Sequence, residues 1–271
     1  MSSTREAKVF YFKSDVDIKS YILNLKNIKN PENSIEYRGN HIQLRDIKED
    51  GGYIVGRICK VREIEKPMVG SAHDPKESYL ESDIIESSHF IYSPSDLKVI
   101  MQNNPYVSAN PNSLLSKLLV KTHINDLPSG VGIQAIIRND AVKQLYKYRG
   151  AISQIKVKTT KEGANIIAKE SGDDVEMGDD FLDGASYTER TLSYKMTLGS
   201  VSETLIEKIS NLFRSKKVLD ASFTIDGNRS PIKLSEFAKY ELLNIEVNNG
   251  SFDTLDFQYR LLQLVSSNEE A

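Results

Sequence analysis

Apolar positions along this chain recur with two periods, and the order in which the periods alternate outlines a fold. Residues 132–138 alternate as a strand, 140–149 carry helical spacing, and 152–160 alternate apolar with polar again. Beyond an acidic interruption, 187–198 alternate once more and 201–214 return to a helical stripe. Leu219, Ala221, Phe223 and Ile225 then mark a last strand. The order β-α-β-β-α-β predicts a ferredoxin-like unit. In its second helix, Ser200 and Glu203 have the spacing of a capping box, and Leu205, Ile206, Ile209, Leu212 and Phe213 share one face.

The same reading applies to the rest of the chain. Residues 8–12 predict a strand, and Ser14 is placed to cap a helix carrying Ile18, Ile22, Leu25 and Ile28. Residues 41–47 and 53–64 flank the turn Asp50-Gly51-Gly52 and predict a hairpin. Residues 65–86, with Pro67, Gly70 and Pro75, read as a surface insertion. Short strands follow at 89–92 and 97–102, and Leu114, Leu115, Leu118 and Leu119 mark a helix ending near Thr122. A strand is expected at 237–247. The segment after Asn248-Asn249-Gly250 mixes alternation with helical spacing, so its type stays open. These elements predict an α+β protein. An N-terminal α+β domain would span 1–125, and a ferredoxin-like domain with a C-terminal extension would span 126–271.

A ferredoxin-like unit packs its helices on one sheet face and leaves the other free. If Ile133, Ala135, Ile137, Ile155, Val157, Leu192, Tyr194, Met196 and Leu198 face the helices, the alternate positions face away. Those are Gln134, Arg138, Gln154, Lys156, Lys158, Ser193, Lys195, Thr197, Ser222 and Thr224. Lys143, Lys147 and Arg149 add charge near one end of the unit. Cations among hydroxyls and amides can hold phosphate oxygens without reading base sequence. The face lacks the aromatic platform on which single-stranded nucleic acid stacks, so a duplex backbone fits it better. A solvated face, or one covered by a protein partner or a second copy, is the competing reading.

The formal net charge of −3 removes any argument for nucleic acid from bulk charge and leaves only that local patch. Cys59 is the single cysteine; it excludes an internal disulfide and fits a reducing cytoplasm. No apolar run is long enough to span a membrane, which predicts a soluble protein. The block 170–183 holds Asp173, Asp174, Glu176, Asp179, Asp180 and Asp183 and reads as a solvated acidic stretch. Alternatively, its carboxylate pairs lie where palm domains of phosphoryl-transfer enzymes hold two Mg²⁺ ions, but the first strand supplies no third acid. His41, His73, His89 and His123 have neither metal-ligand spacing nor a nearby nucleophile motif. They are assigned structural or surface roles, and no catalytic residue, metal or cofactor is expected.

The run Tyr53-Ile-Val-Gly-Arg-Ile-Cys-Lys-Val-Arg62, the charged insertion after it, Ser88-His-Phe-Ile-Tyr-Ser-Pro-Ser-Asp-Leu97, the helix beyond Asn112 and the mixed region 143–158 together resemble RexA-type phage-exclusion proteins. The resemblance implies a cytoplasmic, two-domain homodimer that binds duplex DNA with little sequence preference and triggers an antiviral response, with a companion effector or a phage protein as further partners. The acidic balance and the 170–183 block depart from that group.

Overall fold

The structure is a computed structural model, and it describes residues 3–27, 29, 31–62, 68–71, 74–79, 83–123, 131–159, 163, 166, 167, 190–215, 217–248 and 250–267. In chain order the elements are β1 (Ser3–Ser14), α1 (Lys19–Asn24), β2 (Ser34–Tyr37), β3 (Asn40–Asp50), β4 (Tyr53–Arg62), β5 (Met68–Ser71), β6 (Asp74–Tyr79), β7 (Ile84–Ser93), β8 (Lys98–Gln102), α2 (Pro111–Thr122) and β9 (Ile133–Ala135). Then come α3 (Ala141–Tyr146), β10 (Ile152–Thr159), β11 (Arg190–Lys195), α4 (Glu203–Arg214), β12 (Val218–Ile225), β13 (Ile232–Lys233), β14 (Tyr240–Asn248), β15 (Ser251–Phe252) and α5 (Thr254–Ser267). The protein is α+β, with predominantly antiparallel sheets.

Two compact units divide the chain, one made of 1–134 with 240–271, the other of 135–239. The expected division at 125 is thereby corrected, because β14 is no extension of the second unit. It pairs antiparallel with β1 from Ser3↔Val247 to Phe10↔Tyr240. The second unit is an insertion between β9 and β14. Its two ends run side by side, with Ile137 bridged to Ala238 and the Arg138 N–H donating to Phe237 O at 2.9 Å.

The first unit is one sheet in the order β15-β14-β1-β8-β7-β4-β3-β2, with β9 beside β1. Phe90, Ile91 and Tyr92 are consecutive, apolar and all buried, so this end of β7 is covered on both faces. On one face the Tyr92 hydroxyl accepts from Ile18 N at 3.2 Å and donates to Asp17 at 2.8 Å, which fixes the start of α1. Ser14 therefore does not cap that helix; it ends β1, its N–H donating to Leu97 O at 2.8 Å. On the other face α5 lays Phe257, Leu261 and Val265 into the core, which settles the open C-terminal segment as a helix. The β3–β4 hairpin forms as expected, with Gly51 and Gly52 at φ 57° and 87°, a region costly for other residues.

His89 joins α5 to the sheet. Its ring stacks on Phe257 at 4.3 Å, Nδ1 lies 2.8 Å from Gln102 Oε1, and Nε2 lies 3.4 Å from the Thr254 hydroxyl. Gln102 Oε1 only accepts, so Nδ1 carries a proton in either charge state of the ring. Burial lowers its pKa from the ordinary 6.5 to about 4. A depressed value contributes stability that is complete above 6.5 and is lost as pH falls through about 4, amounting to about 3 kcal/mol. Denaturant unfolding from pH 7 to pH 4 should show a decline in stability that is shallower by about that amount in His89→Gln. Equal declines in both proteins would refute the assignment.

The second unit places β10 centrally in the order β11-β10-β12-β13. This corrects the ferredoxin-like order, in which the expected strand 132–138 would share the sheet. Ile133–Ala135 instead pairs with β1, where Asp15 N donates to Gly132 O at 3.0 Å and Gly132 N donates to Asp15 Oδ2 at 2.8 Å. Alternation identifies a strand but not the sheet it joins. Packing of both helices on one face holds. Ala141, Val142 and Leu145 of α3 and Ile206, Ile209 and Phe213 of α4 close over Ile155, Val157, Ala221 and Phe223. The cap of α4 is Ser202, whose hydroxyl accepts from Leu205 N at 3.1 Å, while Ser200 turns back to Thr197 O.

Candidate nucleic-acid interface

Because directly opposed residues in an antiparallel pair share a face, register fixes what stands opposite the helices. Gln154 faces Lys195 and Thr224, Lys156 faces Ser193 and Ser222, and Lys158 faces Thr191 and Asp220. Ser222 in turn faces Lys233. A hydrogen bond of 2.9 Å from Gln154 Nε2 to Ser193 Oγ confirms the shared side. Lys156, Lys158, Lys195 and Lys233 are exposed, whereas the intervening Ile155, Val157, Ala221 and Phe223 are buried. No aromatic side chain belongs to this face among the described residues.

The remaining expected cations lie elsewhere. Lys143, Lys147 and Arg149 belong to α3 and the turn after it, in the helical layer across the sheet from Lys156. Arg149 sits 4.4 Å over the Tyr146 ring. Arg138 lies outside the four-stranded ladder, 5.8 Å from the Phe237 ring and 3.6 Å from Asp140. Periodicity beyond the end of β11 also misplaces Leu198, which is 55% exposed in the turn before α4. Lys233 escapes sequence reading because two residues of β13 carry no period. Asp220 could have been found, since it continues the Asp220-Ser222-Thr224 alternation.

Asp220 is the one acid of this face among the described residues. It accepts from Ala221 N at 2.9 Å and lies 3.5 Å from the Ser235 hydroxyl. Burial raises its pKa, and these hydrogen bonds offset that only in part. A raised carboxylate contributes stability at low pH that is lost as pH rises through its folded value. Asp220→Asn should therefore melt higher than wild type at neutral pH, with the gain shrinking below the ordinary 3.8. An equal gain at both pH values would point to packing instead.

Other candidate chemistry is dispersed. Cys59 is buried, and burial pushes its thiol up to about 11, so it is an inert packing group. His41 is exposed, and the His123 ring meets Tyr21 edge-on at 5.1 Å. His73 and the carboxylates of 170–183 lie outside the described residues. No group of His, Cys, Asp and Glu able to hold a metal occurs among the described residues, and no described helix is long and apolar enough to cross a membrane. Compared with known proteins, the chain matches no family model and no curated protein sequence.

Alkylation of Cys59 should be slower in the native protein than in urea by a factor that follows unfolding stability. Rapid native labelling would contradict its burial.

Proposed function

We propose that this protein is a non-catalytic sensor or adaptor of antiviral defence that holds duplex DNA by its backbone, with Lys156, Lys158, Lys195 and Lys233 as the contacts. The observation that carries the reading is the shared register of these lysines among hydroxyls and an amide on one sheet face. Successive lysines on β10 stand about 7 Å apart, and Lys233 lies two strands, about 10 Å, from Lys156. Such a raster presents ammonium groups to several phosphates at once, and with no planar group to stack a base it discriminates little between sequences. The defence role rests on the resemblance to RexA-type phage-exclusion proteins and carries a cytoplasmic location with it. A companion effector would convert occupancy of the face into a response.

A competing use of the same face, docking of a phage protein, makes no demand on duplex length and depends less on counterion release. Binding of a fluorescent duplex, titrated across salt, separates the two. Wild type should lose affinity linearly on logarithmic axes, and Lys156→Glu with Lys158→Glu should flatten the slope by roughly 2 and weaken binding by about tenfold or more. Lys143→Glu with Lys147→Glu, on the opposite layer, should bind nearly as wild type. If the first double variant binds normally, DNA does not use this face.

A further inference from the structure

Before the short β15 pairs with Val247 and Asn248, β14 presents an outer strand edge of unusual character. Along an antiparallel ladder, N–H and C=O of one residue point to the same side, and successive residues alternate. Glu246 N donates to Asp256 Oδ2 at 2.8 Å and Glu246 O accepts from Asp253 N at 2.8 Å, so this residue points away from β1. By alternation Tyr240, Leu242 and Asn244 point outward too, while Glu241, Leu243 and Ile245 bond to β1. Consistently, Lys8, opposite Leu242, sends its carbonyl the other way, to Asn103 N at 2.8 Å. Neither backbone group of Tyr240, Leu242 or Asn244 has a partner among the described residues.

Natural sheets blunt such edges with lysine, proline or brevity. Here β2 is short, β13 has two residues and β11 ends in Lys195, but β14 reads Tyr-Glu-Leu-Leu-Asn-Ile-Glu-Val-Asn without a cation or a proline. Half of the large apolar side chains exposed among the described residues, Tyr240, Leu242, Leu255 and Tyr259, lie on β14 and α5. Leu242 is 54% exposed, and an open groove of about 900 Å³ runs between this edge and Tyr259, Leu262 and Gln263 of α5.

We propose that the outer edge of β14 pairs antiparallel with the same edge of a second copy, about a two-fold axis at Leu242. Only this register uses every free group. Leu242 exchanges both hydrogen bonds with its own counterpart, and Tyr240 does so with Asn244 of the other copy, while the engaged Glu246 is left out. Glu241 then stands opposite Leu243, so no like charges oppose each other across the seam. An axis normal to the sheet keeps faces matched, which brings the two α5 helices to the same side and closes the groove with Tyr259 and Leu262 from each. A foreign extended strand could satisfy the same backbone groups, but the self-matching of this sequence about Leu242 favours a second copy. The proposal does not rest on the lysine face.

Cross-linking tests the register. Cα atoms of a hydrogen-bonded pair lie about 5.5 Å apart, within disulfide reach. Leu242→Cys, oxidised without DNA, should run as a covalent dimer. Leu198→Cys, equally exposed on the other unit, should not. In sedimentation, wild type should be dimeric at roughly 50 µM, and Leu242→Lys, which sets like charges on the axis, should weaken association by more than about tenfold with unchanged circular dichroism. A monomeric wild type, or a dimer that Leu242→Cys does not cross-link, overturns the proposal, and either result leaves DNA binding to be judged separately.

Discussion

The pairing of β1 with β14 is the constraint on which the architecture turns. The strands are more than 200 residues apart, since the Tyr11 hydroxyl reaches Glu241 at 2.5 Å across a separation of 230. Closing so long a loop costs entropy that grows only slowly with length, so a whole folded unit can be carried inside it. Once Ser3 lies against Val247, residues 135–239 must leave and return at one place, and the 137–238 bridge marks it. The same pairing occupies the inward backbone groups of β14 and fixes which groups face out.

Within the insertion, β10 has the organising role. Its period of two sends Ile155 and Val157 under the helices and Lys156 and Lys158 to the opposite side, so a slip of one residue would bury two ammonium groups. Crowding of the lysines is relieved by pairing. None stands directly opposite another; each meets Ser, Thr, Gln or Asp, and Lys156 and Lys195 are diagonal neighbours about 7–8 Å apart. Such spacing keeps repulsion small in solvent while leaving a field that an extended polyanion can neutralise. A net charge of −3 over the chain makes this local, since beyond a Debye length of about 8 Å the acidic remainder is screened from it.

Local periodicity is legible in the sequence and long-range partnership is not. The alternation in 152–160 and around Phe223 is enough by itself to put Lys156 and Lys158 on one side, because burial of one face enforces it. The strand at 133–135 is legible as a strand, but its partner is selected by Asp15 and Gly132, which no period reports. The tail is ambiguous for a physical reason. Phe257, Leu261 and Val265 form the buried stripe of α5, while the exposed Leu255 and Tyr259 interleave them and imitate strand alternation. Those surplus apolar residues blur the helix signal, and one of them, Tyr259, lines the open groove beside β14. Lys143, Lys147 and Arg149 do not join the lysine face because proximity to β10 along the chain says nothing about which layer a helix occupies.

Pairing at β14 and binding by the lysine face would be coupled quantitatively. A pair of copies joined at β14 would carry two lysine faces, so a duplex held by one face would meet the second at an effective concentration set by geometry. Counterion release adds over all phosphates contacted, and the salt dependence of a dimer on long DNA would then be about twice that of one face on a short duplex. If the two faces point apart, that doubling is absent and the dimer instead bridges separate duplexes. The steepness of binding as a function of duplex length therefore measures how the lysine faces are disposed across the seam.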